Sequence, residues 1–414
     1  MGRPRTEPGD AVGPGLTGAV VEVVDVPAVP GGAETPGGAD EKRVTWAELY
    51  FDLVFVFAVT QVSQLLHHHH DWAGVGRALV AFAPVYWCWV GTTVQANVRD
   101  VDTPRDRVGI FGVGLCGLFM ALALPGAYGS RGLLFGAGYW AARLVLLWLV
   151  RGIRRVWIGP YGVGAAVSGP LMLLGGTVDG PARTVLWAAG ACCDLAAPLV
   201  FRRRLAGVTY HPGHLPERFG LFLLVALGES IVGIGGPVAG SDLHTGQLLS
   251  VAVAFVISCA LWWLYFGFAS DAMRFAVETA ASRRDMIRRV FSYGHLLLIA
   301  GVIAVAVGFG ETVAEPGSAL GLGTVALLYG GCVLYLLSFS YTRWMMFGKV
   351  SPTRLAAAGL VLLLLPLMPD LPAFAALTAL AAVLVGLNAV EHLRVRRART
   401  RTDTGPDADA GPAA

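Results

Sequence analysis

Several ionisable side chains fall inside apolar stretches, where a charge costs a few kcal/mol or more unless it is paired or wetted. Glu229 stands out. It is flanked by Gly228 and Ser230 and followed by Gly233, Gly235 and Gly236. At a rise of about 1.5 Å per residue it lies about 18 Å beyond Glu217, near the middle of a membrane. Small neighbours favour close helix contact or local unwinding, the way many transporters build sites at mid-depth. The chemistry predicted for Glu229 is proton or cation coupling, and the alternative is a protonated carboxyl bonded to a neighbouring helix. Glu48 and Asp52 share a helical face with Ser63. Two carboxylates near a membrane mouth gather cations, and burial equips one of them to take up a proton. For Glu48 the residue type and position favour a helix cap among headgroups; for Asp52 they favour a functional acid.

Arg143 and Asp194 each lie about 12 Å from the basic end of their own segment, Arg151 and Arg202 respectively. Equal depth predicts an ion pair between helices, with Asp52 as an alternative partner for Arg143. His295 is a candidate proton relay or a hydrogen-bonded structural histidine. Arg218 follows Glu217 at a helix start, a position that predicts a side chain reaching out to the interface. His67 to His70 with Asp71 form a dense imidazole cluster, but no zinc spacing is complete, so no metal site is assigned. No cofactor is implied. The chain has no G-x-x-x-x-G-K-[ST] and no H-E-x-x-H, and the stretch from Gly228 to Val232 is not G-x-S-x-G. A non-enzyme is therefore expected, and a membrane enzyme acting through intramembrane acids ranks below the other readings.

These residues need helices in lipid to hold them. Of the 414 residues, 55% are hydrophobic and 14% charged, and the mean hydropathy is +0.62. That composition excludes an ordinary soluble enzyme, which carries about 25% charged residues. A net charge of +3 gives no reason to expect nucleic acid. A crossing helix needs about 20 mostly apolar residues. Such segments fall at 46–66, 75–97, 108–128, 131–150, 156–177, 181–201, 216–238, 247–270, 290–310, 318–340, 355–369 and 371–393. Twelve spans are predicted, the last two interrupted by Pro366, Pro369 and Pro372. With a cytoplasmic N-terminus, 26 of the 31 Lys and Arg residues fall in alternate loops or in the two ends. The exceptions are Arg77, Arg131, Arg143, Arg183 and Arg218. This alternation is the positive-inside pattern, and it places both termini in the cytoplasm of a plasma-membrane protein. Residues 1–41 and 394–414 are expected to be disordered tails flanking a transmembrane domain of 42–393. The six cysteines all lie in apolar runs and form no C-x-x-C pair.

The run from Glu48 to Gln61 (ELYFDLVFVFAVTQ) aligns without gaps on the run from Glu217 to Ser230, acid on acid and aromatic on aromatic. Six spans per half would give two halves of one orientation, 42–205 and 206–393, a parallel duplication.

The first run also resembles the opening motif of the bacterial low temperature requirement A protein family. The run from Leu215 to Val232 (LPERFGLFLLVALGESIV) is similar to that family's second motif. The resemblance covers about residues 43–393 and implies a multi-pass membrane protein linked by name to growth in the cold. It transfers no catalytic residue, and His67 to His70 belong to neither motif. The leading expectation is a proton- or cation-coupled secondary transporter or ion-conducting protein, whose partners are membrane lipid and a small solute or ion. The rival is a membrane scaffold or lipid-handling factor that transports nothing and supports growth at low temperature.

Overall fold

The computed structural model describes residues 44–67, 71–99, 101, 103–152, 158–208, 210–280 and 282–403. His68 to His70, the segment 1–41 and the end 404–414 lie outside the described residues. The packing that follows lies within one compact unit, Glu34–Glu391. Of the second unit, 1–33 with 392–414, the described part is the helical stretch 392–403.

All regular structure among the described residues is helical, apart from one isolated bridge between Ala319 and Pro372. Helix starts follow local chemistry. In α1 (Trp46–His67), Thr45 and Glu48 form a reciprocal cap: the Glu48 carboxylate accepts from the Thr45 N–H at 2.9 Å, and the Glu48 N–H points back to the Thr45 hydroxyl. Asp71 caps α2 (Trp72–Val98) by accepting from the Gly74 N–H at 2.7 Å. Thr103 with Pro104 opens α3 (Pro104–Ala123). Next come α4 (Gly132–Leu149), α5 (160–177), α6 (Pro181–Val200), α7 (His214–Gly235), α8 (Thr245–Phe266) and the short amphipathic α9 (Ala269–Thr279). A π-helical stretch, Ile287–Gly294, leads into α10 (His295–Ala314). Then α11 (Leu322–Phe347) ends at Gly348 with φ of 67°, followed by α12 (Pro352–Leu364) and α13 (Ala373–Asp403).

Ten helices among the described residues are long and apolar enough to cross a membrane. Large apolar side chains such as Leu53, Phe111, Val185 and Phe255 stand exposed on these helices, as lipid contact requires. The fifth and eleventh predicted spans are helical but interrupted. In α5 a π-helical turn, Gly164–Ser168, separates two shorter α-helical pieces. After α12 the chain tightens into a 3₁₀ turn at Leu365–Leu367, where Pro366 removes a donor. At the other end, α13 continues through Asp403. Residues 394–403 are therefore helix rather than the disordered tail expected, because the basic run contains no breaker until Gly405 and Pro406.

Glycines let several helices touch backbone to backbone. A Cβ at Gly136 would meet the Met172 carbonyl at 2.3 Å, and one at Gly176 would meet the Gly132 carbonyl at 2.6 Å. These contacts run α4 against α5 in opposite senses along most of the length of α5. Gly301 and Gly331 seat α10 on α11 in the same way. At the centre, α1 packs on α2, α3, α7 and α10.

Candidate functional site

The polar residues of the two sequence motifs meet along one seam. Glu48 on α1 faces His214 on α7, Asp52 faces Arg218, and Thr60 faces Glu229. Residue numbers rise together on both helices, so α1 and α7 run in the same direction. The face that Glu48, Asp52 and Ser63 share in sequence is the face turned to α7.

The lower tier is a buried charge cluster. Arg218 grips both Asp52 oxygens, Nη1 to Oδ2 at 2.8 Å and Nη2 to Oδ1 at 2.9 Å. This bidentate fork is the strongest geometry available to a carboxylate. Trp89 Nε1 on α2 donates to Asp52 Oδ1 at 2.7 Å, and the guanidinium lies 5.7 Å from the Trp89 ring centre. Arg218 is 0% exposed, so it does not reach to the interface as its position beside Glu217 suggests. The reason is energetic: an unpaired Asp52 inside the bundle would cost more than drawing the arginine in.

Glu48 divides its carboxylate between two tasks. Oε2 serves the helix cap, and Oε1 faces His214 Nε2 at 3.0 Å and Arg218 Nε at 3.8 Å. It does cap α1, but it is 0% exposed and does not lie among headgroups. On the other side of the imidazole stands Asn97. Its Oδ1 accepts from the His211 N–H at 3.1 Å, which fixes the amide so that Nδ2 points to His214 Nδ1 at 3.4 Å. The same Nδ2 donates to the His211 carbonyl at 2.9 Å.

The upper tier lies 12 to 16 Å further on, by about eight residues of α1 and eleven of α7. There Thr60 Oγ1 donates to Glu229 Oε2 at 2.6 Å, and Ser63 lies against the same carboxylate. Helix α7 is unbroken through this point. Of the glycines around Glu229, Gly233 makes the close contact: a Cβ there would meet the Ala306 carbonyl at 2.4 Å, whereas Gly228 and Gly235 have open space. Between the tiers lies an aromatic layer. Phe222 stacks on Trp89 with centroids 4.1 Å apart and meets Phe55 at 6.5 Å, and all three side chains are fully buried.

Arg143 and Asp194 form the ion pair expected of them, at 2.5 Å between α4 and α6. Tyr139 donates to the same Asp194 oxygen, and Arg143 does not meet Asp52. His295 is held apart from both tiers of acids. It bonds the Tyr265 hydroxyl at 2.8 Å, faces the Val290 carbonyl, and lies stacked on Phe291 beside Phe219. No group of three or more metal-ligating side chains occurs among the described residues.

Sequence reasoning missed His214, Trp89, Asn97 and Tyr139. Trp89 and Tyr139 count as apolar bulk in a hydropathy profile, and His214 lies just outside the predicted span. The available signal was the motif itself, since His214 and Arg218 flank its beginning.

The seam is built from the two motif runs, and the family comparison covers both. The model of the bacterial low temperature requirement A protein (LtrA) matches residues 43–389. The chain belongs to this family. Among curated proteins, an uncharacterized protein of Rhizobium meliloti (strain 1021) is 29% identical over 321 residues, covering 74% of this chain and 78% of the relative. No solved structure matches. In this low temperature requirement A chain, the first motif supplies Glu48, Asp52 and Thr60, and the second supplies Arg218 and Glu229. The two motifs are thus the two sides of one polar seam.

Proposed function

We propose that the chain is a secondary transporter or ion-conducting protein of the plasma membrane, coupled to protons or small cations and handling a small solute or ion. The observation that carries this reading is the buried acid–base cluster of the lower tier. Two carboxylates, Glu48 and Asp52, share one guanidinium, Arg218, beside the His214 imidazole, whose Nε2 lies 3.0 Å from Glu48 Oε1. Acids and an imidazole buried together can take up, hold and pass on a proton or small cation. Glu229 then offers a second carboxyl, beyond the aromatic layer, whose neighbours Thr60 and Ser63 are hydroxyls. Two proton-accepting positions along one seam, separated by an occluding layer, are what alternating access needs. The reading includes no enzymatic activity, no cofactor and no nucleic-acid partner.

The same proposal takes the chain as twelve crossings in two parallel sets of six, with both ends cytoplasmic. The parallel run of α1 and α7 supports it, because an odd number of crossings must lie between two parallel helices, and α2 to α6 make five only if α5 crosses. Arg354 at the start of α12 pairs with Glu391 late in α13 at 2.8 Å, while the Ala373 N–H bonds the Ser318 carbonyl before α11. These contacts carry residues 352–371 past most of the height of α13. The halves also repeat their packing. In each, the first helix packs on the second and third, the third on the fourth, and the fourth on the fifth.

The test is the purified chain in liposomes with a pH-sensitive dye inside, under ion and solute gradients. Wild type is expected to move protons, and Glu229→Gln to cut the flux at least tenfold while the protein stays folded. The reading fails if wild type moves no protons, or if the Gln variant conducts as well as wild type. A scaffold predicts the first result, together with normal growth of the Glu229→Gln strain in the cold.

A further inference from the structure

A cavity of about 460 Å³ opens at the arginine-bearing end, between the last turns of α2, α4 and α6 and the start of the π-helical stretch. It shares no residue with the seam just described. Its walls carry Arg143, Arg202, Arg203, Arg284 and Arg288 against one acid, Asp285, which is already bonded to Arg288 at 2.6 Å. Burial pushes the phenol of Tyr210, another wall residue, up to about 12, so it adds no negative charge near neutral pH.

Gln95 is the second, independent sign of a ligand. This wall residue is 1% exposed, and neither its amide nitrogen nor its amide oxygen has a partner. A buried amide left unpaired costs about 1–3 kcal/mol, and native proteins seldom leave one so. Unpartnered nitrogens on Arg284 and Arg288 belong to the same wall, while Arg143 is already paired with Asp194. The rest of the wall is apolar, from Trp87, Val90, Val94 and Ile287.

Both π-helical turns among the described residues abut this region. Ile287–Gly294 gives the wall Ile287, Arg288 and Ser292, while Gly164 of the other turn packs so tightly on Arg143 that a Cβ would lie 2.5 Å from its Nε. Such turns break the regular ladder and tend to occur at functional sites.

We propose that the cavity binds the phosphate of an anionic amphiphile, with the guanidiniums and the Gln95 amide on the phosphate oxygens and the apolar wall against the adjoining aliphatic part. Guanidinium forks match phosphate geometry, and basic pockets between spans suit anionic headgroups. The inference does not depend on whether the seam moves protons.

The experiment uses the full purified chain in phosphatidylcholine nanodiscs, followed by thermal unfolding and by native mass spectrometry of retained lipid. Phosphatidylglycerol, glycerol 3-phosphate and inorganic phosphate are added in separate arms. Saturable stabilisation by phosphatidylglycerol alone identifies a membrane lipid as the source, and equal stabilisation by glycerol 3-phosphate identifies a soluble phosphate ester. The triple variant Arg202→Gln, Arg203→Gln, Arg284→Gln is expected to bind at least tenfold more weakly. Gln95→Glu, close in shape but negative, is expected to weaken binding similarly, which keeps the test open should the triple variant fold poorly. Removing three arginines that do not line the cavity (Arg77, Arg107 and Arg131) is expected to leave binding within twofold. The proposal is overturned if no phosphate compound stabilises the protein beyond phosphatidylcholine, if folded Gln95→Glu binds as wild type does, or if the distant variant loses as much as the cavity variant.

Discussion

Arg218 reaches across the bundle to hold both oxygens of Asp52, a residue 166 positions earlier in the chain. The pair clamps α1 to α7 inside the bundle, and Trp89 of α2 closes over it. Breaking one member of a buried pair leaves the other as an uncompensated charge, at a cost of about 3–5 kcal/mol.

Asp52→Asn and Arg218→Gln are therefore each expected to lower unfolding resistance in detergent by about that much. The double variant, which leaves two neutral amides, should lose clearly less than the sum of the singles. Thermal unfolding of the four proteins, arranged as a double-mutant cycle, measures the coupling. Additive losses would show that the pair does not clamp the helices.

Asp194 answers to a different group. Its carboxylate serves both Arg143 and the Tyr139 hydroxyl. Tyr139→Phe removes one hydrogen bond to a charged group, so a loss of about 1.5–3 kcal/mol is expected. Asp194→Asn should cost more, because it strands Arg143. The two are separable by thermal unfolding in one detergent, and equal losses would contradict the arrangement.

How much of this site is legible in sequence depends on residue type. Asp52, Glu229, Arg143 and Asp194 stand out because an ionisable residue in an apolar run has few reasons to be there, and equal depth pairs Arg143 with Asp194. Depth from its own span does not pair Arg218 with Asp52, since its position beside Glu217 reads as an interface. Trp89 and Tyr139 are hydrogen-bond donors hidden in apolar bulk, and only the fold turns their polar ends to the acids. The multi-pass helical character is likewise legible from the apolar runs, but the π turn in α5 and the 3₁₀ turn after α12 are not. Those depend on how glycines and prolines settle against neighbours such as Arg143.

The glycines beside Glu229 divide into two kinds. A Cβ at Gly233 would press on the Ala306 carbonyl at 2.4 Å, while none of the neighbouring atoms comes within 4 Å of one at Gly228. Gly233→Ala is expected to push α7 off α10 and destabilise by about 1–3 kcal/mol, the usual cost of overpacking. Gly228→Ala should be neutral or stabilising by up to about 1 kcal/mol, from helix propensity alone. Thermal unfolding of the two variants distinguishes them, and the opposite order would mean that the contact lies at Gly228.

The path of α5 can be read chemically. Gly164 lies level with Arg143 in the C-terminal half of α4, and Gly176 lies level with Gly132 at its N-terminal end. A helix making those contacts delivers the 178–180 turn to the face opposite Arg151. In a cysteine-free background, Asp179→Cys should react with a membrane-impermeant maleimide added outside intact cells. Arg151→Cys should react only after the membrane is opened. Asp179 suits the test because its side chain is 89% exposed, and its partner Arg183 keeps the carbonyls of Ala127, Gly129 and Val178 when Asp179 is replaced. If the label at 179 requires opened cells, α5 does not cross, and α7 would have to enter the bundle against α1 rather than alongside it. The contacts from Glu48 to His214 and from Thr60 to Glu229 set α7 alongside α1, so this one labelling result bears on the whole seam.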